Sequence, residues 1–329
     1  MDQFAGKIAV ITGGGHGMGQ ALAKQLASEG CNVAMCDVSQ TAMDDTVAMC
    51  VAGAPAGTTV TSFVTDVSDE SQMQAFRDHV VSAHATDHIN LLFNNAGVGG
   101  GGSMIADSRE EWDRTFGICW GGVYYGTRVF LPLLVASTAG HIVNTSSVNG
   151  FWACLGPENP HTAYSAAKFA VKGFTEALVV DLRHNAPHVK ASVVMPGHIG
   201  TSIAFNTGAA HGRHPKDLTD ADIETMRDRF ARRGIDTSGA SNEDLKQLII
   251  MQAQGFLDNA PMTADEAATV ILDGVRADEW RILVGADAHV LDGLVRANPT
   301  EAYEPDFVKQ LQARGAFANM PIGDSDADQ

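Results

Sequence analysis

Cysteine is sparse in this chain, and its spacing is irregular. Cys31, Cys36, Cys50, Cys119 and Cys154 are odd in number and form no Cys-x-x-Cys pair, which argues against a disulfide framework or a zinc knuckle and reads as reduced thiols in a cytoplasmic protein. Positive charge is also scarce. Only 22 Lys and Arg stand against 39 Asp and Glu, a net charge of −17, so nucleic acid and anionic membrane are poor partners. No apolar run reaches the roughly 18 residues that suggest a membrane span. The N-terminus, Met1 to Lys7, has no basic n-region, long apolar h-region or cleavage site, so no secretion signal is expected.

What is present is ordinary globular composition. With 45% hydrophobic and 19% charged residues over 329 positions, a sizeable core is expected, and only the acidic end, about 320–329, reads as a flexible tail. Short β-rich runs at 8–11, 32–36, 60–64, 89–93, 141–145, 191–195 and 281–285 alternate with helical patterns at 18–29, through the forties, and at 70–83, 108–134, 162–183 and 264–277. That alternation predicts an α/β fold in a single domain, a doubly wound parallel sheet of the Rossmann type with about seven strands and helices on both faces. Ser108-x-x-Glu111 and Thr263-x-x-Glu266 fit capping boxes and mark two helix starts. Between 202 and 260 the pattern breaks into a Gly/His-rich piece and two charged helical pieces. Such an insertion after a strand's carboxyl end overhangs the ligand crevice as a lid, or else is a surface excursion or subunit contact.

Two local patterns carry chemistry. Thr12-Gly13-Gly14-Gly15-His16-Gly17-Met18-Gly19 follows the first strand and opens the first helix, which puts backbone amides at the positive end of a helix, where a pyrophosphate fits. No Gly-Lys-Ser/Thr follows, so a Walker loop is excluded. Asp37 ends the second strand, where a carboxylate accepts the ribose diol and repels a 2′-phosphate; positions 38–42 hold no Arg or Lys. NAD is therefore expected over NADP. The second pattern is Tyr164-Ser165-Ala166-Ala167-Lys168. One helical turn stacks the phenol and the ammonium on one face, and a nearby cation favours the phenolate of a group whose ordinary pKa is about 10.

Together with Asn94-Asn95-Ala96-Gly97, Ser147 and Pro196-Gly197, these motifs resemble the short-chain dehydrogenase/reductase family over about residues 7–201. The resemblance implies that Ser147 hydrogen-bonds the substrate oxygen, that Tyr164 exchanges its proton, and that Lys168 holds the nicotinamide ribose and lowers the tyrosine pKa. It implies cofactor contacts from Gly13, His16, Gly17, Met18, Asp37, Asp66, Val67, Asn95, Ala96, Gly97, Tyr164, Lys168, Pro196, Gly197, Ile199 and Thr201. Ser147, Asn149, Trp152 and Tyr164 are expected at the substrate. A homodimer or homotetramer built on the helices at 108–134 and 162–183 is implied as well.

Two departures stand out. The family usually has asparagine where Cys119 stands, and that asparagine helps to hold a water in a proton relay; a thiol is a poor substitute. Cys119 either alters the relay or is a small packing residue. The stretch 151–161 widens the spacing from Ser147 to Tyr164, and Phe151, Trp152 and Leu155 either wall an apolar pocket or join the core. His161, His198, His211 and His214 suggest a metal site, but His211-x-x-His214 lies in a Gly-rich loop without nearby Cys or paired carboxylates, and no metal is expected. The resulting reading is NAD-dependent interconversion of a secondary alcohol and a ketone, both small molecules, on a bulky apolar substrate. The rivals are a dinucleotide-binding scaffold or sensor, and an epimerase, dehydratase or enoyl reductase on the same sheet.

Overall fold

The computed structural model describes residues 1, 3–155, 160–232 and 235–317; the expected acidic tail lies outside them. Six strands come first: β1 Ile8–Thr12, β2 Asn32–Asp37, β3 Val60–Val64, β4 Leu91–Asn94, β5 Gly140–Thr145 and β6 Val189–Pro196. The short β7 Ile199–Gly200 and β8 Met262–Thr263 follow, then β9 Arg281–Val284. One sheet has the order 3-2-1-4-5-6-9 with every pairing parallel. The seven expected strands are all in it; the β7–β8 ladder is an addition.

The two-residue period of the strands sorts their side chains. On one face Ala9, Ile11, Val33, Met35 and Phe93 pack with Leu22 and Leu26 of α1 Gly17–Ser28. On the other, Val10, Ala34, Leu92 and Ile142 meet Phe76, Val80, Phe130, Leu134, Leu178 and Leu182. The helices after α1 are α2 Gln40–Gly53, α3 Glu70–Ala83, α4 Arg109–Phe116, α5 Gly122–Val135 and α6 Thr162–Asn185. A π turn, Gly117–Gly121, joins α4 to α5 where the sequence suggested one regular helix. The joined stretch Arg109–Val135 is by length and composition apolar enough to cross a membrane, though Thr127 and Arg128 interrupt it, and half of its apolar window is buried inside the protein, as in a core helix.

The segment after β7 folds as α7 Ile203–Ala210, α8 Asp220–Arg232 and α9 Asn242–Asp258, followed by α10 Ala264–Arg276. The capping box at Thr263 is complete. At Ser108 only half of it forms: the hydroxyl accepts from Glu111 N, while the Glu111 carboxylate turns to Arg213 at 3.0 Å and Arg229 at 2.7 Å. Two buried-side cations outbid a single backbone amide for that carboxylate. The last described elements are α11 Ala286–Ala297 and α12 Pro305–Ala313, neither of which was expected. Their Ala288, Leu291, Phe307, Val308 and Leu311 form a third apolar cluster with Val148 and Trp152.

Candidate active site

At the sheet's switch point, where the strand order turns from β1 to β4, a cleft opens beyond the carboxyl ends of the strands, the usual ligand position of a doubly wound sheet. Its volume is about 540 Å³, and Gly13, His16, Gly17, Met18, Asp37, Asp66, Val67, Asn95, Ala96, Gly97 and Thr201 all line it. Gly13 sits at φ +69°, and a Cβ there would come within 2.9 Å of Ala96 Cα, so glycine is required. The Thr12 hydroxyl accepts from the amides of Asn95 and Ala96 at 3.0 and 3.1 Å, pinning the two cleft walls together. That role of Thr12 was not read from the sequence.

Asp37 accepts from Gly15 N through Oδ2 and from Ser39 N through Oδ1, each at 3.1 Å. A carboxylate has about four lone-pair sites, so two stay open toward the cleft. Arg114 is the one Lys or Arg among the residues lining the cleft, and it is occupied: its Nη1 donates to Asp66 Oδ2 at 2.6 Å and Ser68 Oγ at 2.9 Å. Arg114 was also missed, because its partner lies 48 residues away.

The cleft's own chemistry suits a dinucleotide. No side chain caps the N-terminus of α1, and its first turn carries no acid, whereas Ser39, Asp69, Ser108, Ser241 and Thr263 cap their helices. The first amides of α1 are thus free for an anion. Asn95 Oδ1, buried in the lining, has no hydrogen-bond partner, and a ribose hydroxyl could donate to it.

Beyond the inner wall stand Ser147, Tyr164 and Lys168. A Cβ on Gly97 would lie 3.4 Å from Lys168 Nζ and 3.7 Å from Cys119 Sγ, so the ammonium sits directly behind this lining glycine. Lys168 is buried, donates to Thr145 O at 2.9 Å, and lies 5.3 Å from the centre of the Tyr164 ring. Burial lowers its pKa. The Tyr164 phenol moves opposite to expectation: burial, then the neighbouring Cys119, push its pKa up, and only the Ser147 hydroxyl pulls it back through a hydrogen bond. Desolvating a phenolate costs more here than that hydrogen bond returns. Ser147 also accepts from Asn149 N at 3.1 Å, and His161 meets the tyrosine ring edge-on at 4.8 Å.

Several expected contacts lie elsewhere. Trp152 is 1% exposed, donates its indole N–H to Ala302 O at 2.7 Å and packs on Phe307 and Phe317; it is core, not substrate wall. Asn149 is buried and gives its amide to Trp152 O and Cys154 O, holding the loop instead of facing a substrate. Phe151 joins the same third cluster. Pro196, Gly197 and Ile199 do not line the cleft; Ile199 is buried in the first core layer, and the space over Gly197 is filled by Asp287. Only Thr201 from that stretch reaches the cleft, joined by Ser202, Ile203 and Asn206, which the sequence did not single out.

Cys119 sits in the π turn, fully buried, and its thiol donates to Val98 O at 3.1 Å. π turns often mark functional positions, and this one aims Cys119 at the lysine side of the site. The four histidines disperse: His198 bonds Phe256 O, His211 faces Gly99 O and Thr115, and His214 accepts from Lys216 N.

Comparison with known proteins agrees with the geometry. The family described as short chain dehydrogenase matches residues 7–211. A meso-2,3-butanediol dehydrogenase from Serratia marcescens is 31% identical, covering 81% of this chain and 96% of that protein. A short-chain dehydrogenase/reductase from Burkholderia phymatum, solved in complex with NAD, is 32% identical with a TM-score of 0.69, covering 91% of this chain and 98% of the other. A metagenomic short-chain oxidoreductase solved with NADP is 32% identical with a TM-score of 0.52, covering 59% and 83%.

Proposed function

This chain belongs to the short chain dehydrogenase family of oxidoreductases, and from that premise we propose that it interconverts a secondary alcohol and a ketone with NAD. The observation that carries the reading is the Tyr164 hydroxyl held by Ser147, one helical turn from Lys168, against the inner wall of a dinucleotide-sized cleft. Bound at that cleft, the dinucleotide supplies or accepts the hydride. Tyr164, protonated at neutral pH, delivers its proton to the ketone oxygen as that oxygen gains charge, and takes it back in the alcohol direction. General acid–base help of this kind contributes about a hundred- to ten-thousand-fold. Ser147 donates a hydrogen bond to the same oxygen, and the Lys168 charge favours the phenolate that remains. Formation of NADH with a panel of secondary alcohols tests the proposal; no alcohol-dependent NADH formation and no ketone-dependent NADH oxidation overturns it.

NAD is preferred because Asp37 faces the ribose end and Arg114, the cation nearest to hand, is tied to Asp66. The paired change Asp37→Ala with Val38→Arg removes the repulsion and adds a phosphate partner at an exposed position. Its expected outcome is a rise of at least about tenfold in kcat/KM with NADP relative to NAD, read from steady-state kinetics with both dinucleotides.

Cys119 occupies the place of a relay asparagine beside Lys168. Cys119→Asn restores an amide able to hold water, and the expected result is a kcat gain of a few-fold, about 2–5, with a changed pH profile. An identical rate and profile would leave Cys119 a packing residue. The start of the segment after β7, α7 and the turn behind it, acts as the lid: Ile203, Asn206, Ala209 and His214 line the cleft, and Thr207 accepts from Gly99 N at 2.7 Å. The bulky apolar substrate keeps less support, since Phe151 and Trp152 are core; Met104 and Ile105, 71% and 94% exposed in the loop bonded to this lid region, remain. Tyr124, Phe169 and Val180 are exposed on α5 and α6, which suits burial by a second copy of the chain.

A further inference from the structure

Asp287 belongs to α11, a helix that the cleft residues do not include, yet its carboxylate reaches the turn after β6. It is 6% exposed. Oδ2 accepts from His198 N at 2.7 Å, and Oδ1 accepts from Ala288 N at 2.9 Å in the first turn of α11. Among the described residues no ion pair is made with it, so its charge is balanced by those amides and the positive end of the helix. Gly197 is shaped to this group: a Cβ there would fall 2.2 Å from Oδ1 and 2.3 Å from Oδ2. The same turn is tied again by Gly197 N to Val284 O at 2.9 Å, and by the His198 ring to Phe256 O at 2.7 Å.

From this turn the chain runs through β7 directly to Thr201, Ser202 and Ile203 on the cleft wall. Thr201 packs on Gly17 at the α1 N-terminus, where a Cβ would meet it at 3.0 Å. Asp37 and Asp66 stand in the same cleft at the ends of β2 and the β3 loop. A carboxylate from α11 therefore sets the position of one wall of the cleft without touching its contents.

Resting on the dinucleotide reading above, we infer that Asp287 is a positioning residue: it holds the Gly197–Thr201 segment against the part of the dinucleotide that lies beyond the adenosine. The charge-assisted bond from His198 N is the device. Asp287→Asn keeps the shape but cannot accept at both oxygens, and Asp287→Ala removes the clamp.

Dinucleotide affinity measured by titration calorimetry separates the possibilities, with 5′-AMP as the comparison ligand for the Asp37 end alone. The expected result is NADH binding weakened about tenfold in Asp287→Ala and less in Asp287→Asn, the worth of one charge-assisted bond, with 5′-AMP affinity unchanged. Gly197→Ala, which displaces the carboxylate from the other side, is expected to give the same split. A parent chain that binds NADH beside folded Asp287→Asn and Gly197→Ala variants of equal affinity overturns this inference alone. Equal weakening of NADH and 5′-AMP also overturns it, as a general structural effect. A parent that binds neither NADH nor NADPH overturns the proposed function and this inference with it.

Discussion

Tyr164→Phe is expected to lower kcat/KM by about a hundred- to ten-thousand-fold while leaving the dinucleotide dissociation constant within about twofold. The substitution deletes one oxygen and keeps the ring, so the edge-on contact with His161 survives. Ser147 loses the phenol but still accepts from Asn149 N, so the site keeps its frame. What disappears is the group proposed to exchange a proton with the reacting oxygen. Its raised pKa has a kinetic consequence. A phenol that burial keeps protonated is ready as an acid for ketone reduction, whereas alcohol oxidation first requires that the proton leave, so oxidation should gain more from high pH than reduction does. Steady-state rates in both directions, from neutral pH upward, check this. Unaltered turnover in the Phe variant would end the assignment.

Trp152→Ala is expected to cost about 3–5 kcal/mol of stability, read as a lower midpoint in urea or thermal unfolding. The indole is among the largest fully buried side chains, and its removal leaves a cavity between the loop after Ser147 and α12. It also leaves Ala302 O without its 2.7 Å donor, an added cost for a buried carbonyl. Trp152→Phe should cost less, because most of the volume stays. In either variant, substrate KM measured well below the unfolding midpoint should stay within about twofold, since uniform binding is lost only when a contacting group goes. A large rise in KM with unchanged stability would return Trp152 to the substrate wall.

The central strands were legible because they are short apolar runs buried on both faces, such as Ile8–Thr12 and Leu91–Asn94, and the edge strands because they continue the same alternation with helices. Parallel sheets impose that pattern locally. The glycine loop and the Tyr164/Lys168 pair were legible for a similar reason: each is a local arrangement that backbone geometry converts directly into a face or a turn. Glu111 was misread at its cap because Arg213 and Arg229 come from more than 100 residues further on. Trp152 was misplaced for the same cause, as the segment that encloses it follows some 150 residues later, whereas Asn149 turns to loop carbonyls three and five residues on.

By itself, then, the chain's order of residues determined the sheet, the glycine turn at α1, the acid at the end of β2, and the spacing of phenol and ammonium on α6. These follow from hydrogen bonding and steric periodicity within a few residues. Tertiary structure decided the rest: that burial raises the Tyr164 pKa, that Trp152 is core, and that Asp287 holds the turn after β6. Desolvation and long-range pairing depend on what the remainder of the chain packs around a group, and no local pattern records that.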